Sequence, residues 1–300
     1  MVYEPMDMDY TLNCNGQLLC LDRPRVMGIL NATPDSFYAQ SRVETEQQVA
    51  QRTAEMLAEG ADIIDVGACS TRPGSQTADE AEEMRRLRMA LAVVRHEAPT
   101  AVLSVDTFRP NVARMAVEEF GVDMVNDVGE GAADTANGQE GLSPAAPGRM
   151  EMWRMVSRLR VPYIYMSRAS RMHDILLDCA EAVNMLHSMG QKDIVVDPGI
   201  GFGKTMEQGY EVMQQLERMQ MLRLPILVGV SRKSLLGNAS SSQRLTGTTV
   251  LNTVALLKGA SILRVHDVAE AVECCRIAGQ LKANAAACSA QVRESVYQKR

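Results

Sequence analysis

The chain has 300 residues, 46% hydrophobic and 23% charged, with a net charge of -6. These are globular values, which exclude a disordered chain, and the mild acidity excludes a nonspecific nucleic-acid binder. No apolar run reaches membrane-spanning length. The segment from Met1 to Tyr10 carries Glu4, Asp7 and Asp9 where a signal peptide would be basic. The seven cysteines form no C-x-x-C pair, which argues against a zinc site or a disulfide framework. The expected setting is therefore the cytoplasm, with free thiols and with neither membrane nor nucleic acid as a partner.

Tyr10 to Cys14 and Gln17 to Leu21 flank Asn15-Gly16, a strong hairpin-turn signal. Eight short apolar runs of strand length then alternate with helical patterns. The runs are Val26–Leu30, Ile63–Val66, Val102–Val105, Met124–Val125, Tyr163–Met166, Ile194–Val196, Ile226–Val230 and Ile262–Val265. The helical patterns are Glu44–Glu59, Asp79–Arg95, Pro110–Phe120, Glu151–Arg160, Asp174–Met189, Met206–Met219, Thr248–Lys258 and about Val268–Ala283. Eight β/α units in this length predict an α/β fold, a (β/α)8 TIM barrel preceded by a β-hairpin. A doubly wound open sheet usually stops at five or six strands. The expected divisions are an N-terminal extension over 1–25, the barrel over 26–283 and a tail over 284–300. Glu130 to Gly148, rich in Gly, Ala, Ser and Pro, reads as a long loop after the fourth barrel strand.

The residues that succeed each strand are informative. Asn31, Arg72, Asp106, Asn126, Arg168, Asp197, Lys233 and His266 stand at or just after the ends of eight successive strands, with Arg264 inside the last. In a barrel these ends share the C-terminal face, where active sites are built. Asp106, Asn126 and Asp197 offer acceptors and an amide, which suit a flat heterocycle with an amino-imino edge. Arg72, Lys233, Arg264 and His266 are donors that suit an anion. The rim proposes a substrate with a polar ring at one end and a phosphate or carboxylate at the other.

Two look-alike motifs fail. Gly203-Lys204-Thr205 resembles the end of a P-loop, but position 198 is Pro where that motif needs Gly. A dinucleotide motif begun at Gly199 would need Gly at 204, where Lys stands. Glycines 199, 201 and 203 are expected instead to let a strand-to-loop turn approach a ligand closely. His96, His173 and His187 have no partner spacing and read as surface histidines, and Cys69 as a small packing residue.

Seven motifs occur in series: Asn31-Ala32-Thr33-Pro34-Asp35-Ser36-Phe37, Ser70-Thr71-Arg72-Pro73-Gly74, Ser104-Val105-Asp106-Thr107, Asn126-Asp127, Asp197 through Thr205, Ser231-Arg232-Lys233-Ser234 and Arg264-Val265-His266-Asp267. Together, over about residues 26 to 281, they resemble the dihydropteroate synthase family. The resemblance implies joining of 6-hydroxymethyl-7,8-dihydropterin diphosphate to 4-aminobenzoate, giving dihydropteroate and diphosphate. It implies that Asp106, Asn126, Asp197 and Lys233 hold the pterin and that Asn31 meets Mg2+. It implies that Arg264 and His266 bind the diphosphate, while Thr71, Arg72 and Ser234 contact diphosphate or aminobenzoate. It places Phe37 and Pro73 in two loops that close over the aminobenzoate, and it implies a homodimer. Of these, Asp106, Lys233, Arg264 and His266 are expected to act in catalysis. The aminobenzoate carboxylate is expected to rest on a helix N-terminus at Ser234.

The chain departs from the family pattern at Met166-Ser167-Arg168, at Gly67-Ala68-Cys69-Ser70 and at Phe37-Tyr38-Ala39-Gln40. Two alternatives stay open. One is a methyltetrahydrofolate methyltransferase-like barrel, which would not need the Thr-Arg-Pro loop or the Arg264/His266 anion pair. The other is a noncatalytic pterin-binding paralogue, since a fold does not fix a function.

Overall fold

A computed structural model describes residues 10–32, 42–68, 78–129, 147–237 and 240–297, with the backbone alone at 42–44, 147, 234 and 285–297. Antiparallel strands β1 (Thr11–Cys14) and β2 (Gln17–Cys20) form the expected hairpin. Asn15 and Gly16 turn it with φ of 51° and 88°, the pair of positive values that matches the twist of the flanking strands. The Asn15 amide also donates to the carbonyls of Gly121 and Val122, both at 3.2 Å, which ties the turn to the body.

Eight parallel strands come next: β3 (Arg25–Asn31), β4 (Ile63–Gly67), β5 (Val102–Asp106), β6 (Met124–Asp127), β7 (Tyr163–Met166), β8 (Ile194–Asp197), β9 (Leu227–Val228) and β10 (Ile262–Val265). Neighbours in sequence pair in parallel from β3 to β8, and β10 pairs with both β9 and β3. A parallel bridge between Val196 and Ile226 joins β8 to β9 and closes the barrel. The helices are α1 (Arg42–Ala58), α2 (Glu80–Glu97), α3 (Pro110–Phe120), α4 (Pro147–Leu159), α5 (Met172–Ser188), α6 (Met206–Gln214), α7 (Ser241–Leu257) and α8 (Val268–Tyr297).

The strand pattern makes two cores. Outward residues such as Leu30, Ile64, Val66, Leu103 and Val105 pack on helix residues Met56, Leu87, Leu91 and Val94. Inward, each strand gives one residue to a floor of Met27, Ile63, Val102, Met124, Ile164, Val195, Leu227 and Ile262, which the hairpin covers with Leu12, Cys14 and Leu21. Side chains alternate along a strand, so the next inward positions lie two residues higher, towards the C-terminal face.

Several expected boundaries differ, and three of the differences are informative. The pattern Met206–Met219 divides at Gln215, where the chain tightens into a 3-10 turn over Leu216–Leu222 and buries Leu216 and Met219. Residues three apart eclipse in that geometry, so both reach the core. The last helix does not stop near Ala283 but runs to Tyr297, through an Ala-rich stretch of good helix formers with no Gly or Pro. Finally, Ser234 does not open a long helix. Ser234–Leu236 is a three-residue 3-10 turn, and α7 begins beyond Ser240, whose side chain caps it by accepting from the Gln243 N–H. Ser and Gln three apart form a reciprocal capping box there, a stronger start signal than Ser234 has.

Candidate active site

The second inward layer is polar. Two residues above the floor on their strands stand Asp65, Ser104, Asn126, Asp197 and Arg264, each on a different strand. Asp65 lies at its centre. Its Oδ2 accepts from Arg264 Nε at 2.6 Å and from Asn126 Nδ2 at 3.0 Å, joining β10, β4 and β6 across the barrel. Arg264 also donates through Nη2 to Asp106 Oδ2 at 2.5 Å. Burial works against the guanidinium charge, but Asp65 and Asp106 outweigh it and hold Arg264 protonated beyond its usual range. Glycine gives this pair room: a Cβ on Gly67 would stand 3.3 Å from Asp106 Cβ, a tight contact.

Asp197 closes the other side. It is buried, and its Oδ1 accepts from the Gly199 N–H at 2.7 Å. Burial pushes its carboxyl above the ordinary range, against the pull of Lys233, the Gly199 N–H and Lys204. Burial lowers the Lys233 ammonium to about 8, although Asp197 draws it upward. Lys233 donates to the Ile200 carbonyl at 2.5 Å and lies 4.2 Å from the centre of the Phe202 ring. Gly201, at φ 84°, makes room for it, since a Cβ there would fall 2.6 Å from Lys233 Cδ. The look-alike P-loop residues have other work. Lys204 donates to the carbonyl of Gly199 at 2.8 Å, and Thr205 caps α6.

His266 stands half-buried after β10. Its Nδ1 lies 3.1 Å from Ser231 Oγ, its N–H donates to the same oxygen at 3.2 Å, and Arg52 donates to its carbonyl at 2.7 Å. The Arg232 guanidinium meets both oxygens of Asp267, joining the loops after β9 and β10. Asn31, half-buried, ends β3 beside Gly67. The barrel thus brings Asn31, Asp106, Asn126, Asp197, Lys233, Arg264 and His266 to one end. Thr71, Arg72, Pro73, Phe37 and Cys69 lie outside the described residues, as does the Ser234 side chain.

Sequence reasoning misses several supporting residues. Asp65 is wholly buried within Ile-Ile-Asp-Val-Gly, and its one signal is a charge two residues from Ile63 in an otherwise apolar strand. Glu83, also wholly buried, accepts from Thr107 Oγ1 at 2.8 Å and pairs with Arg109, which holds the loop after β5. Arg109 donates in turn to the Ala78 carbonyl at 2.7 Å. Asp127 accepts from the Tyr163 hydroxyl at 2.6 Å, and burial raises its carboxyl. Glu83 sits in the first turn of α2 among other acidic residues, where an acid is ordinary, and its partner arrives from 26 residues away, so no local pattern marks its role.

Residues 27–266 match the family model of pterin binding enzymes. A dihydropteroate synthase of Clostridium beijerinckii is 36% identical over 261 residues, which cover 83% of this chain and 91% of the relative. Among solved structures, the Xanthomonas albilineans dihydropteroate synthase with 4-aminobenzoic acid superposes with a TM-score of 0.79 at 32% identity, over 92% of this chain and 99% of that one. The Yersinia pestis dihydropteroate synthase, solved as a sulfonamide drug complex, gives a TM-score of 0.76 at 30% identity, over 92% and 100%.

Proposed function

The chain belongs to the pterin-binding enzymes as a dihydropteroate synthase, and we propose that its barrel mouth divides the work between a buried ring pocket and a half-buried anion rim. The reaction condenses 6-hydroxymethyl-7,8-dihydropterin diphosphate with 4-aminobenzoate. The observation that carries the division is one of depth: Asp65, Asn126 and Asp197 are buried in the second inward layer, whereas Asn31 and His266 stand half-buried at the strand ends above it.

In this reading Asp106, Asn126 and Asp197 accept from or donate to the pterin edge, and Lys233 donates to the ring from the adjoining loop. The bond between the pterin methylene carbon and the diphosphate oxygen breaks, and its electron pair leaves with the diphosphate. Arg264 and His266 stabilise that leaving charge by directed hydrogen bonds. Positive charge spreads from the methylene into the ring, where the carboxylates of Asp106 and Asp197 stabilise it. The aminobenzoate nitrogen forms the new bond to carbon and releases its proton to solvent. An aromatic amine needs no strong general base for this. Thr71, Arg72 and Ser234, with Phe37 and Pro73, are assigned to aminobenzoate and diphosphate by the family motifs they occupy.

Mg2+, when bound with the diphosphate, neutralises part of its charge. Among the described residues no group of three or more His, Cys, Asp or Glu could hold a metal alone. The donor set still fits this ion, because Mg2+ keeps its waters and is commonly held by one or two protein oxygens plus substrate phosphate. Asn31 would supply the protein oxygen.

Other features support the remaining assignments. Cys14, Cys20, Cys179, Cys274 and Cys275 are free thiols, which supports a reducing, cytoplasmic setting; no described helix is long and apolar enough to cross a membrane. Val250, Leu257, Ile277 and Leu281 are exposed on α7 and α8, which supports a homodimer joined through these outer helices. Resemblance to the sulfonamide-complexed relative supports reading the aminobenzoate site as a sulfonamide site.

The test is diphosphate release by the purified chain with Mg2+ and both substrates. Release that depends on 4-aminobenzoate is expected. Pterin binding without release would leave a noncatalytic binder in its place.

A further inference from the structure

We propose that Asp65 is a positioning residue for the pterin, fixing the Asn126 amide with its oxygen turned towards the ring and aligning the Arg264 guanidinium beside it. This rests on the pterin reading of the pocket. Asp65 is 0% exposed and makes no contact with solvent. One of its oxygens receives both Asn126 Nδ2 and Arg264 Nε. An ionised carboxylate can only accept, so it selects the NH2 end of the Asn126 amide. The amide oxygen is thereby turned away from Asp65, and a ring meeting Asn126 must offer it an N–H. The same carboxylate sets Arg264, whose other arm reaches Asp106. Three of the assigned binding groups are thus tied, directly or through Arg264, to one carboxylate that lies in none of the seven motifs.

Packing does not call for this charge. The equivalent inward positions on β3 and β7 are Ile29 and Met166, both buried. Among the described residues Asp65 Oδ1, also buried, has no hydrogen-bond partner. A buried carboxylate with an unmatched oxygen costs stability, which its pairing with Arg264 and Asn126 offsets. What Asp alone provides is an acceptor that cannot invert. Asn at 65 has nearly the same shape but can donate or accept, and it lets the Asn126 amide turn over.

The test measures calorimetric affinity for a nonreactive pterin that lacks phosphates. Asp65→Asn is expected to weaken it about tenfold or more, the effect of losing a buried charge-assisted hydrogen bond. The KM for 4-aminobenzoate should stay within about twofold, as a positioning role in the ring pocket requires. In an Asn126→Ala background the same substitution should cost about threefold or less, because the amide it orients is gone. An undiminished loss in that background, or a single-variant affinity like that of the unmodified protein, overturns the proposal while leaving the pterin pocket standing. An unmodified protein that binds no pterin overturns both. Should Asp65→Asn not fold, the unmodified protein carries the test by NMR. The Asn126 side-chain NH2, identified by its absence in Asn126→Ala, is expected as two separate, slowly exchanging proton signals. A rapidly exchanging or averaged pair rejects the proposal.

Discussion

At Asp197 the burial that suits the carboxyl to a ring edge also works against the fold. Its pKa is raised, so the folded chain binds a proton more readily than the unfolded chain, and stability falls as pH rises from the ordinary carboxylate value through the raised one. Above that raised value the penalty is fully present. Asp197→Asn should therefore melt at or above the temperature of the unmodified protein, while binding pterin about 2–4 kcal/mol more weakly; calorimetry with a nonreactive pterin beside thermal melts reads both. Arg264 and His266, which the motifs assign together, are expected to separate. His266→Ala should spare a pterin without phosphates and weaken the diphosphate substrate. Arg264→Ala strands the carboxylates of Asp65 and Asp106 and should weaken both ligands, with a stability loss of about 3–5 kcal/mol; equal effects of the two substitutions on the bare pterin would refute this. Lys233, lowered to about 8 by burial, should give pterin affinity an alkaline limb near that pH, since the ammonium is lost as pH rises through it. A titration of affinity against pH in Lys233→Gln should lack the limb. The rim residues are legible because chemistry at strand ends shows in sequence. Asp65 is not, because one buried Asp in an apolar strand reads locally as an exception, and its partners stand 61 and 199 residues away.

The elements that sequence marks best are those with local signals. Pro110–Phe120 begins at a Pro in its first turn and ends at Gly121 with φ 60°, and both bounds are readable. Tyr163–Met166 and Ile262–Val265 are bounded correctly by their apolar runs alone. The apolar pattern sets α7 several residues late because its first turns, Ser-Ser-Gln-Arg-Leu-Thr-Gly, hold few apolar residues. Its capping box is the available signal. The hairpin is legible as a hairpin, but its task is not, since nothing local says that Leu12 and Cys14 face a barrel floor. Leu12 is 2% exposed, and Leu12→Ala should cost about 2–5 kcal/mol, measured as a fall in the urea midpoint. A loss below about 0.5 kcal/mol, the range of an exposed position, would show that the hairpin adds nothing to the barrel.

On the scale of the whole molecule, eight strands bring residues separated by up to 235 positions, Asn31 to His266, to one rim, which is why the site is legible only after the fold is assumed. Sulfonamides should compete with 4-aminobenzoate in steady-state kinetics, and their direct binding should require pterin and diphosphate to be present. Tight binding to the empty protein would refute that order. The order has a cause at the opposite end of the barrel. With eight inward side chains filling the floor and Leu12, Cys14 and Leu21 packed beneath them, the barrel is a blind well with one opening. If the pterin is held deepest, as proposed, traffic must queue: the pterin enters first, and a product built on it cannot leave until whatever lies above it has gone. On that reading, the packed floor at the far end of the barrel, which the hairpin covers, dictates the sequence in which the substrates come and go.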